Sequence, residues 1–441
     1  MDLSFARTYR MQSSTCVAFS GAGGKTTAMF RLAEELHSNV IVTATTHLGD
    51  WQTKHADKHI IMDADTLNEA ELDFQGILLV TGKADGDRVQ PISEPLLNQL
   101  HKYCRSHSIP LLIEADGSRQ KPLKGWTDHE PPIPEFADMV VHVAGLSGLG
   151  KPLTEEHVHR PEIFSRLSGL NEGETISPQA VTRVLMDSQG GLKNIPENAK
   201  KVVFLNQADS PKLQSIARGM AVSLLSKHHS VIVGSLLNEK IYAIHERVAG
   251  VILAAGGSTR YGKPKQLLDW KGQPFVRAVA QTALQAGLSP VIVVTGANAD
   301  QVEASISDLN ITSVRNQAWR DGQGSSLRAG IQALASTHVG GVVFLLADQP
   351  QVTTAVIRAL VEKHAEGLYP VVAPMVIDRR GNPVLFDRVT FPDLETIQGD
   401  TGGRAIFHKH RVEYLPWHDD SLLLDVDTPE HYQRLISNQD L

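Results

Sequence analysis

Cysteine, basic charge and long apolar runs are all scarce in this chain. Cys16 and Cys104 are its two cysteines, which is too few for a disulfide scaffold and lacks the paired spacing of a zinc site. We therefore expect inert thiols in a reducing compartment. The net charge of -7 lacks the basic footprint of a general nucleic-acid binder. A local group of donors would still suffice for a small anionic ligand.

Membrane and export signals are also missing from the sequence. No run of about 18 apolar residues marks a membrane span. The first residues, MDLSFARTYRMQSSTC, contain no apolar segment typical of a secretory signal peptide. These absences predict a cytoplasmic protein with no membrane association. The length of 441 residues favours two to three domains, at roughly 150 residues each.

Apolar, strand-like runs alternate with helical segments along the chain. The strands are predicted at 16–19, 40–44, 77–80, 111–113, 139–143, 202–205, 249–255, 291–295, 341–347, 371–374 and 422–426. Helices are predicted at 26–37, 210–225, 274–286 and 325–335. This alternation indicates α/β domains with mainly parallel sheets. Because the pattern restarts after the charged stretch 238–247, we predict two domains, 1–246 and 247–441.

The strand predicted at 249–255 runs directly into a glycine-rich turn. Small residues at 254–257 let backbone N–H groups approach a phosphate chain closely. Arg260 and Lys265 add positive charge for the same anion. Open α/β sheets bind ligands at the carboxyl ends of strands, where this turn lies. The simpler alternative is a tight turn with two solvated cations, but the spacing favours a phosphate site.

Two aspartates follow later apolar runs. Asp348 ends the run FLLAD, and Asp427 ends LLLDVD just before Pro429. A hard cation such as Mg²⁺ prefers oxygen ligands and usually takes one or two carboxylates together with substrate phosphates. Asp427 could instead cap the helix that follows it. Together with the glycine turn, the two carboxylates predict a metal site beside a triphosphate.

The second half resembles the molybdenum cofactor nucleotidyltransferases, from residue 249 to about 436. The matching stretches are LAAGGSTRYGKPKQLL, NQAWRDGQGSSLRAGI, FLLADQPQVT, RRGNPVLF, GDTGGRAIF and LDVDTPE. The resemblance implies a Rossmann-like nucleotidyltransferase fold and Mg²⁺ (or Mn²⁺) on Asp348 and Asp427. It also implies that the substrates meet Leu253, Ala254, Ala255, Gly256, Gly257, Lys265, Ser325 and Ser326. Asn382 and the loop 399–404 would face the pterin.

The resemblance further implies a reaction. A phosphate oxygen of molybdopterin would attack the α-phosphorus of CTP in line, and pyrophosphate would leave. The positive charge of Arg260, Lys265 and the metal would offset the repulsion between two anions. The sequence LAAG, with Lys265 preceded by proline, looks like the cytidylyl branch of the family, whereas the guanylyl branch typically reads LAGG. GTP or another nucleotide remains the alternative substrate.

The first half has a second glycine-rich turn after a predicted strand. Its sequence FSGAGGKTT contains Gly21, Gly24, Lys25 and Thr26. A P-loop uses backbone N–H groups, one lysine and one hydroxyl to hold phosphate and Mg²⁺. The full P-loop spacing is absent because Phe19 stands where the first glycine is required, and the shorter spacing resembles the loop of Mur-type ligases. We predict a P-loop-like phosphate site, with ATP or GTP as candidate ligands; an ordinary helix start is the alternative.

Other polar residues follow further strands of the first half. Glu114 and Asp116 end one strand and suggest a metal site, with turn carboxylates as the alternative. Asn206 and Asp209 resemble a signal for reading a purine base, but Gln207 replaces the expected lysine. These observations leave a purine nucleotide as one hypothesis.

Residues 13 to about 240 resemble the selenium-dependent hydroxylase accessory protein family. The matching stretches are FSGAGGKTT, VTATTHLG, IEADGSRQKPLKGW, HEPPIP, GLGKPL, VHRPEIF and LNQADS. This resemblance implies a molybdenum hydroxylase as the partner rather than a particular reaction. A binding protein therefore stays open as an alternative to the enzyme, namely a cofactor carrier or insertion chaperone whose transferase fold has lost turnover.

Overall fold

The computed structural model describes residues 3–63, 65–257 and 261–437. The chain forms two compact units, Met1–His245 and Glu246–Leu441. Each unit is built on its own mainly parallel sheet with helices between the strands, which confirms the predicted α/β class. Within the described part of the chain, no helix is both long enough and apolar enough to cross a membrane.

The first unit contains a nine-stranded sheet. Its strands and those of its small sheets are β1 (Cys16–Gly21), β2 (Val40–Ala44), β3 (Leu48–Gly49), β4 (Lys58–Ile61), β5 (Ile77–Thr81), β6 (Ala84–Asp85), β7 (Arg88–Val89), β8 (Leu111–Glu114), β9 (Leu123–Lys124), β10 (Met139–Gly145), β11 (Val158–His159), β12 (Lys200–Asn206), β13 (Ser230–Ser235) and β14 (Lys240–Glu246). The helices are α1 (Phe5–Tyr9), α2 (Lys25–Glu35), α3 (Glu94–Ser106), α4 (Pro161–Ser168), α5 (Pro178–Met186) and α6 (Pro211–Leu224).

The order of the large sheet places β1 near its centre. The order is β14-β13-β12-β10-β1-β8-β2-β5-β4, and β1 is parallel to both β8 and β10. Every residue of β1, β2, β5, β8 and β10 is buried. Such uninterrupted burial is typical of parallel strands covered on both faces. The chain leaves β1 through α2, so the glycine turn lies at the carboxyl edge in the middle of the sheet.

The second unit contains an eight-stranded sheet. Its strands and those of a small hairpin are β15 (Val248–Ala254), β16 (Asp269–Trp270), β17 (Gln273–Pro274), β18 (Val291–Thr295), β19 (Thr312–Arg315), β20 (Gly341–Leu346), β21 (Val371–Val376), β22 (Arg379–Arg380), β23 (Val384–Asp387) and β24 (Val412–Pro416). Its helices are α7 (Phe275–Gln285), α8 (Ala299–Ser305), α9 (Gln323–Gln332), α10 (Thr354–Gly367), α11 (Phe391–Glu395) and α12 (Pro429–Ser437).

Strand β15 lies at the point where the strand order of the second sheet reverses. It is parallel to β18 on one side and to β20 on the other. The chain fills the β18–β19 side first and then crosses to β20. Beyond β20 the sheet becomes mixed, because β23 runs antiparallel to both β20 and β21. Ligands of open α/β sheets bind at such a reversal, outside the carboxyl ends of the strands.

The predicted strand at 422–426 is wrong. A 3₁₀ helix, Asp420–Leu423, occupies its start, and an irregular segment follows. The side chain of Asp419 accepts a hydrogen bond from the N–H of Ser421, which favours a turn. Leu422 and Val426 are nonetheless buried, so this apolar run reflects packing and not pairing with a neighbouring strand. The real strand in this region is β24, which pairs with β21.

The charged stretch 238–247 is also not a simple boundary segment. Most of it forms β14, which pairs with β13 at the edge of the first sheet. Ile241, Ala243 and Ile244 of this strand are buried, while Lys240 is exposed. The exposed charge of Lys240 lies on an edge strand, where charged side chains oppose pairing with a strand of another molecule.

The burial of His142 on β10 makes the stability of the first unit depend on pH. The side chain is buried, and its ring lies 4.7 Å from that of Trp126. Neither ring nitrogen has a hydrogen-bond partner among the described residues. Burial lowers the pKa of His142 to about 3, despite the opposing effect of nearby Asp116. The folded unit therefore keeps this imidazole neutral in mild acid.

We expect His142 to destabilise the first unit as the pH falls from about 6.5, its unfolded pKa, to about 3. Over that interval the unfolded chain binds a proton that the folded chain does not. The slope is about 1.4 kcal/mol per pH unit. Native-state hydrogen exchange of β10 peptides at several pH values measures it, and His142→Leu should flatten the dependence. The exposed His107→Leu serves as control. An equal slope in His142→Leu and wild type would contradict the assignment.

Candidate active site

A cleft of about 980 Å³ opens at the carboxyl ends of β15 and β20 in the second unit. Its size lies within the range of small-molecule sites. Most residues predicted for the second half line it: Leu253, Ala255, Gly256, Gly257, Lys265, Ser326, Asp348 and Asp427. The fold therefore brings segments that are far apart in sequence to one concave surface.

Lys265 lies between two carboxylates in this cleft. Its Nζ donates to Asp348 Oδ2 at 3.0 Å and to Asp427 Oδ1 at 2.9 Å. Burial alone would lower the pKa of Lys265, but the two carboxylates outweigh it and raise that pKa above its ordinary value. The ammonium is therefore charged at neutral pH. Asp348 follows β20 and Asp427 precedes α12, so three chain segments meet at one cation.

Thr428, the residue after Asp427, makes a capping contact with α12. The hydroxyl of Thr428 accepts a hydrogen bond from the N–H of His431 at 3.3 Å, which is the contact expected of the capping residue. The Asp427 side chain accepts the hydrogen bond from Lys265. Capping and the aspartate's contact with the cleft are divided between neighbouring residues.

Asp425 is a third carboxylate of this region, and no sequence motif singled it out. Its Oδ1 accepts a hydrogen bond from Gln349 Nε2 at 2.6 Å. Burial raises the pKa of Asp425, and the charges of Asp348 and Asp427 raise it further. Negative charge is therefore concentrated here beyond what Lys265 offsets, which suits an additional cation.

The glycine turn after β15 is braced from below by Gln266. Its Nε2 donates to the carbonyl oxygens of Ala254 at 3.0 Å and Gly256 at 2.6 Å. Because Gln266 binds both carbonyls, they do not face an incoming anion unpaired. A Cβ at Gly257 would lie 3.1 Å from the Trp319 ring, so a small residue is favoured there. Arg260, predicted to act with Lys265, lies outside the described residues.

The serines at the start of α9 are held by one asparagine. Asn316 Nδ2 lies 2.8 Å from Ser325 Oγ and 3.0 Å from Ser326 Oγ. Ser325 also donates to the carbonyl of Gly322 at 2.8 Å. Ser326 lines the cleft, whereas Ser325 is not among its lining residues. Of the two predicted ligands, Ser326 therefore faces the cleft, whereas Ser325 makes an internal contact. Asn316 was not predicted, because its partners lie on the other side of a turn.

The predicted pterin-side residues are also divided. Asn382 lies between β22 and β23 and does not line the cleft. The loop 399–404 reaches the cleft through Asp400. The carbonyl of Gly399 accepts from the N–H of Gly324 at 3.0 Å, which joins this loop to the start of α9. Gly322 has a φ of 96°, and a Cβ there would lie 2.4 Å from Gly399, so this approach requires glycine.

Trp319 and Arg320 form a wall of the cleft that sequence reasoning did not assign. The Arg320 guanidinium lies 4.5 Å from the centre of the Trp319 ring. A guanidinium stacked over an aromatic ring places positive charge on this wall of the cleft, which suits phosphate. The stretch AWRDGQG contained both residues, but their distance from the glycine turn in sequence gave no signal of contact.

In the first unit, the glycine turn after β1 is tightly enclosed. Gly21 and Gly24 have φ values of 99° and 117°. A Cβ at Gly21 would lie 2.2 Å from the carbonyl oxygen of Val143. Lys25 is buried and donates to the carbonyl of Gly21 at 2.9 Å. Thr26 donates to Glu114 Oε2 at 2.5 Å, so the four predicted residues form one local arrangement.

Glu114, the last residue of β8, and Asp116, just beyond it, have opposite electrostatic surroundings. Burial raises the pKa of Glu114, and Lys25 and Thr26 offset this only in part. Burial also acts upward on Asp116, but Lys124, Lys25 and the N–H of Gly21 hold its pKa well below the ordinary value. Asp116 is therefore an ionised internal partner, whereas the positive charge near Glu114 only partly compensates for its burial.

Asn206 braces the glycine turn of the first unit. Its Nδ2 donates to the carbonyl of Gly23 at 2.7 Å, and its Oδ1 accepts from the N–H of Leu236 at 3.0 Å. Asp209 accepts from Ser235 Oγ at 2.5 Å. Both side chains thus have partners within the protein, and this geometry does not favour the hypothesis that they read a purine base.

Comparison with known proteins finds a different family in each unit. The YqeC protein family matches residues 17–162, and the MobA-like NTP transferase domain matches residues 250–414. Protein YqeC of Escherichia coli (strain K12) is 32% identical over 218 residues, covering 48% of this chain and 84% of that protein. The chain belongs to the YqeC family and to the MobA-like NTP transferase family. Both predicted resemblances are thereby confirmed.

Two further relatives differ in the activity that their names state. Nicotine blue oxidoreductase of Paenarthrobacter nicotinovorans is 35% identical over 198 residues, covering 43% of this chain and 96% of that protein. Molybdenum cofactor cytidylyltransferase of Escherichia coli (strain K12) is 25% identical over 184 residues, covering 41% of this chain and 92% of that protein. The family is therefore established more firmly than the substrate of the MobA-like half.

Replacing Gln266 tests whether its brace shapes the MobA-like cleft. Gln266→Leu removes two hydrogen bonds, each worth about 1 kcal/mol. We expect amide exchange in the 254–257 turn to accelerate at least about tenfold, since 1.4 kcal/mol corresponds to tenfold. Hydrogen exchange with mass spectrometry measures this, and the exposed Gln301→Leu on α8 is the matched control. Equal exchange in Gln266→Leu and wild type would show that the turn does not depend on this side chain.

Proposed function

We propose that the MobA-like half transfers CMP from CTP to the phosphate of molybdopterin and releases pyrophosphate. The observation that carries this proposal is Lys265 held by Asp348 and Asp427 beside the glycine turn. The domain family and the relative named molybdenum cofactor cytidylyltransferase support the reaction class. The product would be the cytosine dinucleotide form of the cofactor.

The residues present fit a divalent cation, Mg²⁺ or Mn²⁺. Asp348 and Asp427 supply oxygen donors within 3.0 Å of one cation position, that of Lys265 Nζ. The described residues contain no group of three or more metal-binding side chains. Two carboxylates without a full protein cage suit Mg²⁺, which keeps waters and substrate phosphates as its other ligands. When bound, the cation would neutralise charge on the triphosphate.

The chain's own residues would contribute binding and charge. A phosphate oxygen of molybdopterin forms a bond to the α-phosphorus of CTP while the bond to the β-phosphate oxygen breaks. A phosphate monoester is already a competent nucleophile, so no side chain has to attack. In this proposal the backbone N–H groups of the 254–257 turn receive the phosphate chain, and Lys265 and Arg260 offset the charge on the leaving pyrophosphate. Holding the two reactants together supplies the rest.

CTP is the nucleotide we propose, with GTP or another nucleotide as the alternative. The basis is the LAAG sequence, in which Ala255 lines the cleft. Ser325 and Asn382 make no direct contribution to the cleft wall, so we propose indirect roles for them in holding α9 and the pterin-side loops. Molybdenum hydroxylases would receive the finished cofactor, and the reaction is proposed to occur in the cytoplasm.

The test mixes the purified full chain, Mg²⁺ and molybdopterin with CTP, GTP or ATP in turn, and monitors pyrophosphate. Release with CTP supports the proposal, and release only with GTP reassigns the nucleotide. Tight molybdopterin binding without release would instead support a carrier or insertion chaperone. The assay also separates transfer from the activity in the name nicotine blue oxidoreductase, because a redox reaction does not form pyrophosphate.

Removing either carboxylate should stop transfer. Asp348→Asn and Asp427→Asn each keep the side-chain shape but remove a charge, so we expect Mg²⁺-dependent pyrophosphate release to fall at least about a hundredfold, the scale of one lost electrostatic catalytic contact. Asp308→Asn, at an exposed ion pair with Arg277, is the matched control and should retain activity. Full turnover in both cleft variants would overturn the metal assignment.

A further inference from the structure

The proposed transfer leaves the glycine turn of the YqeC half without a role. This turn connects β1 to α2, and the first residue of α2 is Lys25. Gly24 precedes the helix in a left-handed conformation and has no side chain that could cap it. The first backbone N–H groups of an α-helix have no partners within the helix. A helix start alone does not define a site, so the surrounding side chains decide whether a ligand fits.

Lys25 is held over the turn by groups that an anion could replace. Its Nζ donates to the Gly21 carbonyl at 2.9 Å and to Ser118 Oγ at 3.2 Å, and it is 3% exposed. The carboxylates of Asp116 and Glu114 lie farther away, at 3.4 and 3.9 Å. A buried lysine that folds back onto the carbonyl of its own glycine turn has the position from which an ammonium could reach a bound phosphate chain.

Asp116 is committed to internal contacts. It accepts hydrogen bonds from Ser20 Oγ at 2.8 Å, Lys124 Nζ at 3.0 Å and Trp126 Nε1 at 2.7 Å. The N–H of Gly21 donates to it as well. Because its side chain is fully buried and already accepts these hydrogen bonds, Asp116 stabilises the turn through Ser20 and Gly21. It is not the carboxylate that would contact a ligand.

Glu114 is placed differently. Its Oε2 accepts from Thr26 Oγ1, and Gln52 Nε2 donates to the same hydroxyl at 2.7 Å. A threonine hydroxyl paired with a strand-end carboxylate is the oxygen set that binds Mg²⁺ beside a phosphate chain. Of the two carboxylates at the end of β8, the contacts therefore favour Glu114 as a metal ligand.

Two hydroxyls beside Glu114 provide an independent observation. β2 is the neighbour of β8 and ends opposite Glu114, and the N–H of Thr45 donates to the Glu114 carbonyl at 3.0 Å. The hydroxyl oxygens of Thr45 and Thr46 are enclosed, with no hydrogen-bond partner among the described residues. Enclosed polar groups are normally satisfied by protein, water or a ligand. These hydroxyls lie at the sheet edge where the glycine turn and Glu114 lie.

We propose that the YqeC half binds the Mg²⁺ complex of a nucleoside triphosphate at this edge. The Gly21–Gly24 turn and the start of α2 receive the phosphate chain together with Lys25. Thr26 and Glu114 hold the metal, and Thr45 and Thr46 supply hydroxyls to its waters or to phosphate. This site belongs to the first unit alone and does not rest on the proposed cytidylyl transfer.

Binding is measured on the full chain carrying Asp348→Asn and Asp427→Asn, which removes the proposed cation ligands of the MobA-like cleft. Equilibrium dialysis with Mg²⁺ and either ATP or GTP, as non-hydrolysable imido analogues, is expected to give one site per chain that is lost with Lys25→Met. Inorganic triphosphate is the third arm. Binding of triphosphate as tight as that of both nucleotides would overturn the nucleotide assignment, and no loss in Lys25→Met would overturn the site.

Matched variants keep the test independent of folding defects. Lys102→Met removes an exposed lysine from α3 and should leave binding unchanged. Thr26→Val should weaken Mg²⁺-dependent binding at least tenfold, whereas Thr26→Ser, which keeps the hydroxyl, should restore it; equal binding by Val and Ser variants would overturn the metal role. Circular dichroism checks each fold.

The metal has a readout of its own. Electron paramagnetic resonance of Mn²⁺, in the same doubly substituted chain, should show ion bound only when nucleotide is present and lost in Glu114→Gln. Retention of nucleotide-dependent Mn²⁺ in Glu114→Gln would contradict the assignment. Failure of pyrophosphate release in the wild-type chain, with these binding results intact, would sink the proposed transfer and leave this site standing.

Discussion

The contact of one ammonium with two carboxylates organises the MobA-like half. Lys265, Asp348 and Asp427 come from three separate segments, and their pairing fixes the spacing between the glycine turn, the end of β20 and the start of α12. Like charges brought this close would repel without the lysine. Asp425 adds further negative charge, and in the proposed reaction a divalent ion and a triphosphate would exchange partners with the ammonium.

Both halves place a glycine-rich turn and a lysine at the carboxyl end of a central parallel strand. In each, an apolar central strand, β1 or β15, ends in small residues where the course of the sheet reverses. Parallel sheets gather the ends of distant strands at one edge, so a lysine after the turn meets a carboxylate from a neighbouring strand. The halves differ in the brace beneath the turn: Asn206 in the first unit and Gln266 in the second.

Local signals predicted much of this arrangement. Continuous apolar runs gave most strands of the two sheets, because fully buried parallel strands require them, and small residues marked both turns. The run at 422–426 misled, since Leu422 and Val426 are buried without strand pairing. Asp425 and Trp319 were missed because each acts through contacts between segments far apart in sequence, and a single sequence does not display such contacts. Gln266 was missed although its contacts are local, because no motif marks a side chain that folds back onto the preceding turn. Asn382 shows the reverse, a motif residue that lies away from the cleft wall.

The packing around Phe275 determines at what point during synthesis the cleft of the second unit can be completed. Phe275 at the start of α7 is buried with Val426 and Leu435, which flank Asp427. The aspartate is thus positioned by a residue far ahead of it, and its partner Lys265 lies 162 positions earlier. During synthesis, β15 and its turn emerge first and must wait for almost the whole unit. Until α12 docks, the cleft has a lysine and one aspartate, so an incomplete nascent chain lacks the second proposed metal ligand.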